Sequence, residues 1–245
     1  MISTLRNFLR RFPFLVRLHD SCNELLERFY PYLPIPQRPK ATPLGFKLQG
    51  CGSVHHRSMQ QGTFEVELTQ LLLQRLEQAQ VFVDVGANIG LYSCLARSKG
   101  KHVIAVEPLP RNTAALYTNM FENGWKDVEV FPVGLSRTPG IAVLYGASST
   151  GASLIGNWAG ASGRHKRIIP ISTLDVILGS RFSGKPMLIK IDVEGVEFMV
   201  LSGAVKTLSQ SPRPTWVMEI CLNEFHPSGL NPDYLATFEL FWSHG

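Results

Sequence analysis

Short apolar runs alternate with longer stretches of helical periodicity through most of the chain. We predict strands at residues 81–85, 102–106, 128–133, 187–193 and 215–220. We predict helices at residues 64–78, 91–99, 111–123 and 197–209. Strands that are apolar throughout are typical of a parallel sheet buried on both faces, and the intervening helices supply the cover. The pattern therefore predicts an α/β fold with a doubly wound sheet.

The N-terminal part of the chain has a different pattern. Apolar residues recur at helical spacing over residues 14–29, and prolines repeat over residues 31–43 as in a stiff linker. We therefore divide the chain into an N-terminal helical extension with a Pro-rich linker at residues 1–45 and one globular domain at residues 46–245. Two roles stay open for the extension: packing on the main domain, or peripheral contact with an anionic membrane through residues 1–30.

One segment interrupts the alternation of strands and helices. Residues 145–167 are rich in Gly, Ser and Ala, and they lie between short apolar runs at 141–144 and 168–171 that could pair as a hairpin. A loop of this length in a compact domain is usually either functional or disordered. A mobile lid over a substrate and a loose surface insertion therefore both stay open.

Composition narrows the class of protein. The 245 residues are 44% hydrophobic and 18% charged, which is normal for a soluble domain with its own core. The net charge of +5 comes from scattered Lys and Arg, so we expect no nucleic-acid partner. The four cysteines form no CxxC pair, which argues against a disulfide framework or a zinc site. Because no apolar run could cross a bilayer and arginines interrupt any signal sequence, we expect a cytoplasmic protein.

The strongest chemical signal is the run VFVDVGANIGLYS at residues 81–93. A buried strand leads into a turn in which Gly86 and Gly90 allow a sharp bend and close approach of a ligand. The helix after this turn offers free amides to a carboxylate, and Asp84 places negative charge where an ammonium or sulfonium group would lie. A dinucleotide site would have glycine at the position of Asn88. The run therefore favours S-adenosylmethionine over NAD.

Two further strand ends carry charged residues. Glu107 ends the next strand, where a carboxylate can accept hydrogen bonds from ribose hydroxyls, although an acid at a helix start is the simpler alternative. Lys190, Asp192 and Glu194 follow one another at every second position and so share one face of a strand. Charges at the carboxyl end of a buried strand are costly unless they are paired or functional, and ligands of such sheets bind at that end.

Taken together, these motifs closely resemble those of the FkbM family of methyltransferases. The matching pieces are DVGANIG at 84–90, VEPLPRN at 106–112, STLD at 172–175, KIDVEGVE at 190–197, Gly203, and Glu219 on a late strand. The resemblance implies a class I methyltransferase (Rossmann-like) fold that uses S-adenosyl-L-methionine. It also implies an enzyme that methylates a hydroxyl of a small molecule, often a sugar, a glycolipid or a natural product.

The resemblance assigns site residues by motif. The cofactor-binding residues that it implies are Glu65, Asp84, Gly86, Ala87, Asn88, Gly90, Glu107 and Ser136. The catalytic residues that it implies are Asp192, Glu194 and Lys190. We expect Asp192 to be the base that takes the proton of the acceptor hydroxyl, with Glu194 second and His226 third. Lys190 would tune Asp192 or hold the charge of the acceptor.

Three further expectations concern a metal, a pair of adjacent histidines and the end of the sheet. We predict no metal, because the possible ligands Asp192, Glu194 and Glu219 meet only if the fold brings them together. The adjacent His55 and His56 would point to opposite sides of a strand, so we expect them in a loop or at a substrate edge. The family also ends with an antiparallel strand pair. After the last predicted strand we predict only a helix, at 232–242, and no strand pair. Either the chain is therefore a fragment or its sheet is short by two strands.

The competing functions are therefore of different classes. One is a non-catalytic cofactor-binding or scaffold protein derived from a methyltransferase, and another is an NAD-dependent oxidoreductase. A nucleic-acid methyltransferase is a third, but the chain lacks interleaved basic and aromatic residues for stacking bases.

Overall fold

The computed structural model describes residues 39–50, 54–146, 150–160, 165–223 and 225–244. These residues belong to a compact unit that spans Gln37–Gly245. The helix predicted at 14–29, most of the proline linker and the proposed membrane contact lie outside the described residues, so they stay predictions. The domain boundary at residue 45 also stays a prediction.

The described strands and helices have these bounds. The strands are β1 (Lys40–Ala41), β2 (Lys47–Leu48), β3 (Val81–Val85), β4 (His102–Val106), β5 (Glu129–Phe131), β6 (Gly134–Leu135), β7 (Gly140–Tyr145), β8 (Lys166–Ser172), β9 (Met187–Ile191) and β10 (Thr215–Met218). The helices are α1 (Val54–Gln61), α2 (Val66–Leu76), α3 (Leu91–Ser98), α4 (Pro110–Glu122), α5 (Leu174–Leu178), α6 (Glu197–Ser202), α7 (Val205–Leu208) and α8 (Tyr234–Ser243). A 3₁₀ turn covers Trp158–Gly160.

The central sheet has five strands in the order β10-β9-β3-β4-β5, and all of its pairings are parallel. From β3 the chain moves outward to β4 and β5, and it then returns to place β9 on the other side of β3. The strand order therefore reverses between β3 and β9. In open α/β sheets this switch point is where ligands bind, beyond the carboxyl ends of the strands.

Alternating side chains of the strands fill two separate cores. Phe82 and Leu188 face one side of the sheet, where α2, α3 and α4 pack. Val83 and Ile189 face the other side, where α5, α6 and α8 pack. Because successive residues of a strand point to opposite faces, a strand covered on both faces must be apolar at almost every position. The predicted doubly wound α/β fold is confirmed.

Two predicted elements are interrupted for identifiable reasons. The strand predicted at 128–133 is shorter in the structure, because β5 ends at Phe131 and Pro132 has no N–H to continue a ladder. The helix predicted at 197–209 divides into α6 and α7 at Gly203. A Cβ on this glycine would lie 2.3 Å from the carbonyl oxygen of Ser136, so the backbone here packs directly against another loop.

The hairpin predicted around the Gly-rich segment is confirmed. β7 pairs antiparallel with β8, and β6 completes a separate three-stranded sheet. In the segment that joins them, Trp158 is only 1% exposed. A loose insertion does not bury a tryptophan, so the interpretation of residues 150–160 as a surface insertion is wrong.

The far edge of the central sheet is β10. Within the described residues, β10 pairs only with β9, and no antiparallel strand joins this sheet. In the same part of the chain, none of the helices combines the length and the apolar character needed to cross a membrane.

The two-faced burial of β3 predicts how the fold responds to truncation of a side chain. Phe82 is 0% exposed, and Phe82→Ala should lower the free energy of unfolding by about 3–5 kcal/mol because it leaves a cavity in the core. Phe121 on α4 is 70% exposed, and Phe121→Ala should change it by no more than about 0.5 kcal/mol. Urea unfolding of both variants checks this, and equal losses would contradict the assignment of the core.

Candidate active site

The predicted charged residues meet at the switch point between β3 and β9. Asp84 and Lys190 are direct neighbours in the register of these two strands, so their side chains lie on the same face of the sheet. That face is the one covered by α3. Because β9 ends at Ile191, Asp192 and Glu194 lie in the turn after the strand. The register brings Asp84 beside Lys190.

Asp84 is a buried carboxylate with one oxygen unsatisfied. It is 1% exposed, and its Oδ2 accepts a hydrogen bond of 2.6 Å from the hydroxyl of Ser93 on α3. Its Oδ1 has no hydrogen-bond partner among the described residues. Burial raises the pKa of Asp84, whereas the nearby ammonium of Lys190 opposes that rise. The unpartnered oxygen of Asp84 can accept a hydrogen bond from an N–H or O–H group of a ligand.

Lys190 is also buried, but its charge is compensated. It is 3% exposed, and its Nζ donates a hydrogen bond of 3.0 Å to Oδ2 of Asp192. Nζ also lies 5.2 Å from the centre of the Tyr92 ring, within the range of a cation–π contact. Burial alone would lower the pKa of Lys190, but the carboxylates of Asp192 and Asp84 raise it above its ordinary value. The lysine is therefore held as a cation.

The glycine turn contacts the turn after β9 directly. Gly86 has a positive φ of 80°, and a Cβ built on it would lie 1.8 Å from the carbonyl oxygen of Asp192. The backbone N–H of Asp192 in turn donates to the carbonyl of Val85 at 3.0 Å. Gly86 is therefore required by the contact between two strand ends as well as by any ligand. This contact fixes the position of Asp192 relative to the glycine turn.

Glu107 and Asn88 hold the far side of the turn. The backbone N–H of Asn88 donates to Oε2 of Glu107 at 2.8 Å, and the N–H of Leu109 donates to Oε1 at 2.8 Å. Glu107 is 6% exposed, and burial raises its pKa to about 7 even though both N–H groups favour the ionised form. The alternative interpretation, an acid at the start of a helix, thus describes its observed contacts. A role toward ribose stays a prediction.

Carboxyl groups also line the rim of this cluster. Glu65, just before α2, accepts a hydrogen bond of 2.7 Å from the hydroxyl of Tyr92. Partial burial raises the pKa of Glu219 to about 7, and the negative charges of Asp192 and Glu65 contribute to that shift. The carboxylates of Asp192 and Glu65 therefore act electrostatically on Glu219.

Glu194 has contacts that the sequence did not predict. Its Oε2 accepts a hydrogen bond of 2.8 Å from Nε1 of Trp158, and its backbone carbonyl accepts one of 2.6 Å from the hydroxyl of Ser153. Glu194 has a positive φ of 57°, and a Cβ on Gly195 would lie 2.3 Å from the Trp158 ring. Burial raises the pKa of Glu194. Through these contacts, Glu194 links the Gly-rich segment to the turn after β9.

The remaining predicted residues are Ser136, Ala87 and His226, and each has different surroundings. Ser136 follows β6, and its hydroxyl lies 3.8 Å from the sulfur of Met199, a contact outside the glycine turn. Ala87 is 5% exposed and its N–H donates to the carbonyl of Val106, so it supports the turn through its backbone. His226 lies against the indole of Trp158, with ring centres 6.0 Å apart, and its Nδ1 is 2.7 Å from the hydroxyl of Ser228.

The two adjacent histidines lie in a helix, so the expectation of a loop is wrong, whereas a location at a substrate edge stays a prediction. Both belong to α1. His56 is 1% exposed and its Nε2 lies 3.2 Å from Oδ1 of Asn88, whereas His55 is exposed. Residues on an α-helix that are one apart point about 100° away from each other, which explains the difference between the two side chains.

Sequence reasoning missed four residues that shape the site: Tyr92, Ser93, Trp158 and His56. Tyr92 and Ser93 carried a detectable signal, since both lie in the first turn of the helix that begins after the glycine turn. Trp158 is the tryptophan within a segment otherwise rich in Gly, Ser and Ala, which is also unusual. His56 gave no signal beyond its occurrence in an adjacent pair.

Two further observations bear on the location of the site, one on metal ligands and one on a cavity outside the cluster. No group of three or more His, Cys, Asp or Glu side chains within the described ranges could hold a metal ion. A cavity of about 340 Å³ lies by the β5 edge, and its lining residues include Glu129, Val176 and Arg181. We do not place the active site there, because Arg181 and Glu129 already pair with each other at 2.6 Å and no predicted site residue lines the cavity.

The fold and the convergence of these motifs define a protein of the class I methyltransferase type. A family model described as the methyltransferase FkbM domain matches residues 84–245, which is more than half of the chain. The chain therefore belongs to the FkbM family of methyltransferases.

A curated relative and a solved structure are also similar. The hexuronic acid methyltransferase AglP of Haloferax volcanii is 32% identical over 154 residues. The match covers 59% of this chain and 58% of that protein, so it spans little more than half the length of the relative. The crystal structure of precorrin-6y C5,15-methyltransferase from Geobacter metallireducens superimposes with a TM-score of 0.42 and 13% identity, over 73% of this chain and 70% of that one.

The contact between Gly86 and Asp192 predicts different effects for two glycine substitutions. Gly100 has a similar φ of 73°, but a Cβ there would have nothing within 4 Å. Gly100→Ala should therefore cost only the left-handed backbone strain, about 1–2 kcal/mol. Gly86→Ala adds a collision with backbone and should cost about 3 kcal/mol or more. Urea unfolding compares the two, and equal costs would show that the strand ends are not in contact.

Proposed function

We propose that this protein is an S-adenosyl-L-methionine-dependent methyltransferase that methylates a hydroxyl group of a small molecule, with sugars as the first acceptor class to test. The observation that carries the proposal is the set formed by the buried Asp84 and Lys190 with the partly exposed Asp192 at the switch point of the sheet. Membership of the FkbM family supports the type of reaction.

The residues at the switch point fit this cofactor. S-adenosylmethionine carries a sulfonium and an ammonium group, and Asp84 offers a buried carboxylate oxygen without a hydrogen-bond partner among the described residues. Gly86 leaves the turn without a side chain, and Gly90 directly precedes α3, whose first amides suit a carboxylate. Glu65, Asp84, Gly86, Ala87, Asn88, Gly90 and Glu107 are the proposed cofactor residues. Ser136 is retained from the resemblance alone.

Asp192 is the proposed base. Its side chain is 31% exposed, whereas that of its partner Lys190 is 4% exposed, so Asp192 is the member of the pair that an acceptor can reach. S-adenosylmethionine, when bound, supplies the electrophilic methyl group. The acceptor oxygen forms the new bond to that carbon as the carbon–sulfur bond breaks, and Asp192 takes the hydroxyl proton. Lys190 holds Asp192 in position, and much of the acceleration comes from this fixed geometry.

The charge of the site favours an uncharged acceptor group. Glu65, Asp192 and Glu219 lie close enough to influence one another, so an anionic acceptor beside Asp192 would be repelled. The similarity to a hexuronic acid methyltransferase supports a sugar. We therefore propose a neutral sugar hydroxyl in preference to a carboxylate. The glycolipid and natural-product acceptors that the resemblance implies carry the same chemical group.

A second candidate function is a non-catalytic protein derived from a methyltransferase. The observation that favours it is that Lys190 with Asp192, and Glu194 with Trp158, are already paired without any ligand. Pairs of this kind can be purely structural. An NAD-dependent oxidoreductase is not retained, because the chain belongs to a methyltransferase family.

Binding and turnover separate these functions. The cofactor product S-adenosylhomocysteine should bind with a Kd of about 1 mM or tighter in calorimetry. Methyl transfer is then measured with labelled S-adenosylmethionine on p-nitrophenyl β-D-glucoside and p-nitrophenyl β-D-glucuronide. Transfer to the glucoside hydroxyls supports the proposal. Binding with no transfer to either acceptor supports a non-catalytic cofactor-binding protein. Absence of binding contradicts the proposed enzyme and leaves only the scaffold form of the alternative.

The role of Asp192 as base predicts a loss of turnover. Asp192→Asn should lower kcat by at least about 100-fold, because the amide cannot take the proton, and should leave S-adenosylhomocysteine affinity nearly unchanged. Asp127→Asn serves as the matched control, because Asp127 is 66% exposed and pairs with Arg97. Calorimetry and methyl-transfer kinetics measure the two effects, with thermal unfolding to verify folding. Turnover that survives Asp192→Asn would falsify the assignment.

The raised pKa of Glu219 makes it the competing base. Since a base must be deprotonated, turnover that depends on Glu219 would fall as the pH is lowered through about 7. If Asp192 is the base, Glu219→Gln keeps the acidic limb of the pH–rate profile where it is in the wild type. Loss of a limb near pH 7 in Glu219→Gln would transfer the role to Glu219.

A further inference from the structure

Helix α1 contacts the glycine turn through one buried histidine. His56 is 1% exposed, and its Nε2 lies 3.2 Å from the side-chain oxygen of Asn88. The backbone N–H of Ile89 donates to the same oxygen at 2.8 Å, so this atom of Asn88 is an acceptor. His56 must then be the donor, with its proton on Nε2. His56 lies upstream of residues 84–245, where the family model matches, whereas Asn88 lies within them.

The ring of His56 is neutral under ordinary conditions. Burial lowers its pKa to about 4, and the nearby positive charge of Arg111 also disfavours a second charge there. A neutral imidazole with its proton on Nε2 still donates to Asn88 at neutral pH. The contact is therefore a constant feature of the folded protein over the pH range of most assays.

Asn88 has a left-handed backbone conformation that several hydrogen bonds hold in place. Its φ of 52° is in a region that asparagine occupies more readily than most other non-glycine residues. The hydrogen bonds that hold it include one from its N–H to Glu107 and two that its side-chain oxygen accepts, from Ile89 and His56. Of these three bonds, the one to His56 comes from outside residues 84–245.

A second contact ties the same N-terminal segment to the turn. Nδ2 of Asn119 donates to the carbonyl of Ile89 at 2.8 Å, and Oδ1 of Asn119 accepts from the N–H of Gln49 at 2.6 Å. Gln49 and His56 thus reach the glycine turn by separate routes. The turn is supported from the N-terminal side at two consecutive residues, Asn88 and Ile89.

We propose that His56 is a positioning residue for the cofactor, which acts by fixing Asn88 so that the glycine turn at residues 86–90 keeps the backbone shape against which S-adenosylmethionine binds. The identity of the ligand rests on the proposed function. His56 itself does not contact the reacting atoms in this proposal.

The test compares two adjacent histidines of one helix. His56→Leu keeps a side chain of similar bulk and removes the donor, and it should weaken S-adenosylhomocysteine binding roughly 3- to 10-fold, the effect of one hydrogen bond. His55→Leu is the matched control and should bind like the wild type. His56→Gln restores a donor and should recover at least part of the affinity. Calorimetry is performed well below the melting temperature of each variant.

The alternative outcome is a purely structural role. His56→Leu could lower the melting temperature and still bind S-adenosylhomocysteine with wild-type affinity, and this result would overturn the proposal. Equal weakening by His55→Leu would overturn it as well, because the effect would then come from the helix and not from the hydrogen bond.

Hydrogen exchange provides a readout that needs no ligand. In the ligand-free protein, His56→Leu should accelerate exchange of the Asn88 and Ile89 amides, and His55→Leu should not. If the wild type fails to bind S-adenosylhomocysteine, the proposed function is wrong, and exchange alone then decides whether His56 orders the turn. Unchanged exchange in His56→Leu would show that it does not.

Discussion

The structure depends on a lysine ammonium that is taken out of water and held between carboxylates. Lys190 is 3% exposed, so its charge must be compensated inside the protein. The parallel register of β3 and β9 places Asp84 beside it, and the turn after β9 brings Asp192 within 3.0 Å. Without these partners the central strand could not carry a charge at its end. The same three side chains therefore compensate the buried charge and form the centre of the candidate site.

Backbone contacts convert this charge cluster into a rigid platform. Gly86 touches the carbonyl of Asp192, so the glycine turn and the turn after β9 can move only together. Glu107 and His56 hold the glycine turn from one side, and Trp158 holds the turn after β9 through Glu194. In the proposed methyl transfer, acceleration comes from holding the reactants in line, and the contacts of these two turns serve that geometry.

Local periodicity and motif spacing were enough to predict the central sheet and the centre of the site. The bounds of β3 and β4 were correct because strands buried on both faces are apolar at nearly every residue. Asp84, Lys190 and Asp192 were grouped correctly because carboxyl ends of parallel strands share one edge. The contacts of Glu194 with Trp158 and of Asn88 with His56 were not predicted. Each joins residues more than 30 positions apart, and no periodic pattern encodes such partners.

The central proposal is that S-adenosylmethionine binds over the carboxyl ends of β3 and β4, beside Asp84 and Asp192. A crystal structure of the complete chain with S-adenosylhomocysteine tests this most directly. We expect the adenosyl group across the glycine turn and the amino group of the ligand on the Asp84 side. Density for the ligand in the cavity beside Glu129 and Arg181, with the glycine turn unoccupied at saturating concentration, would contradict the claim.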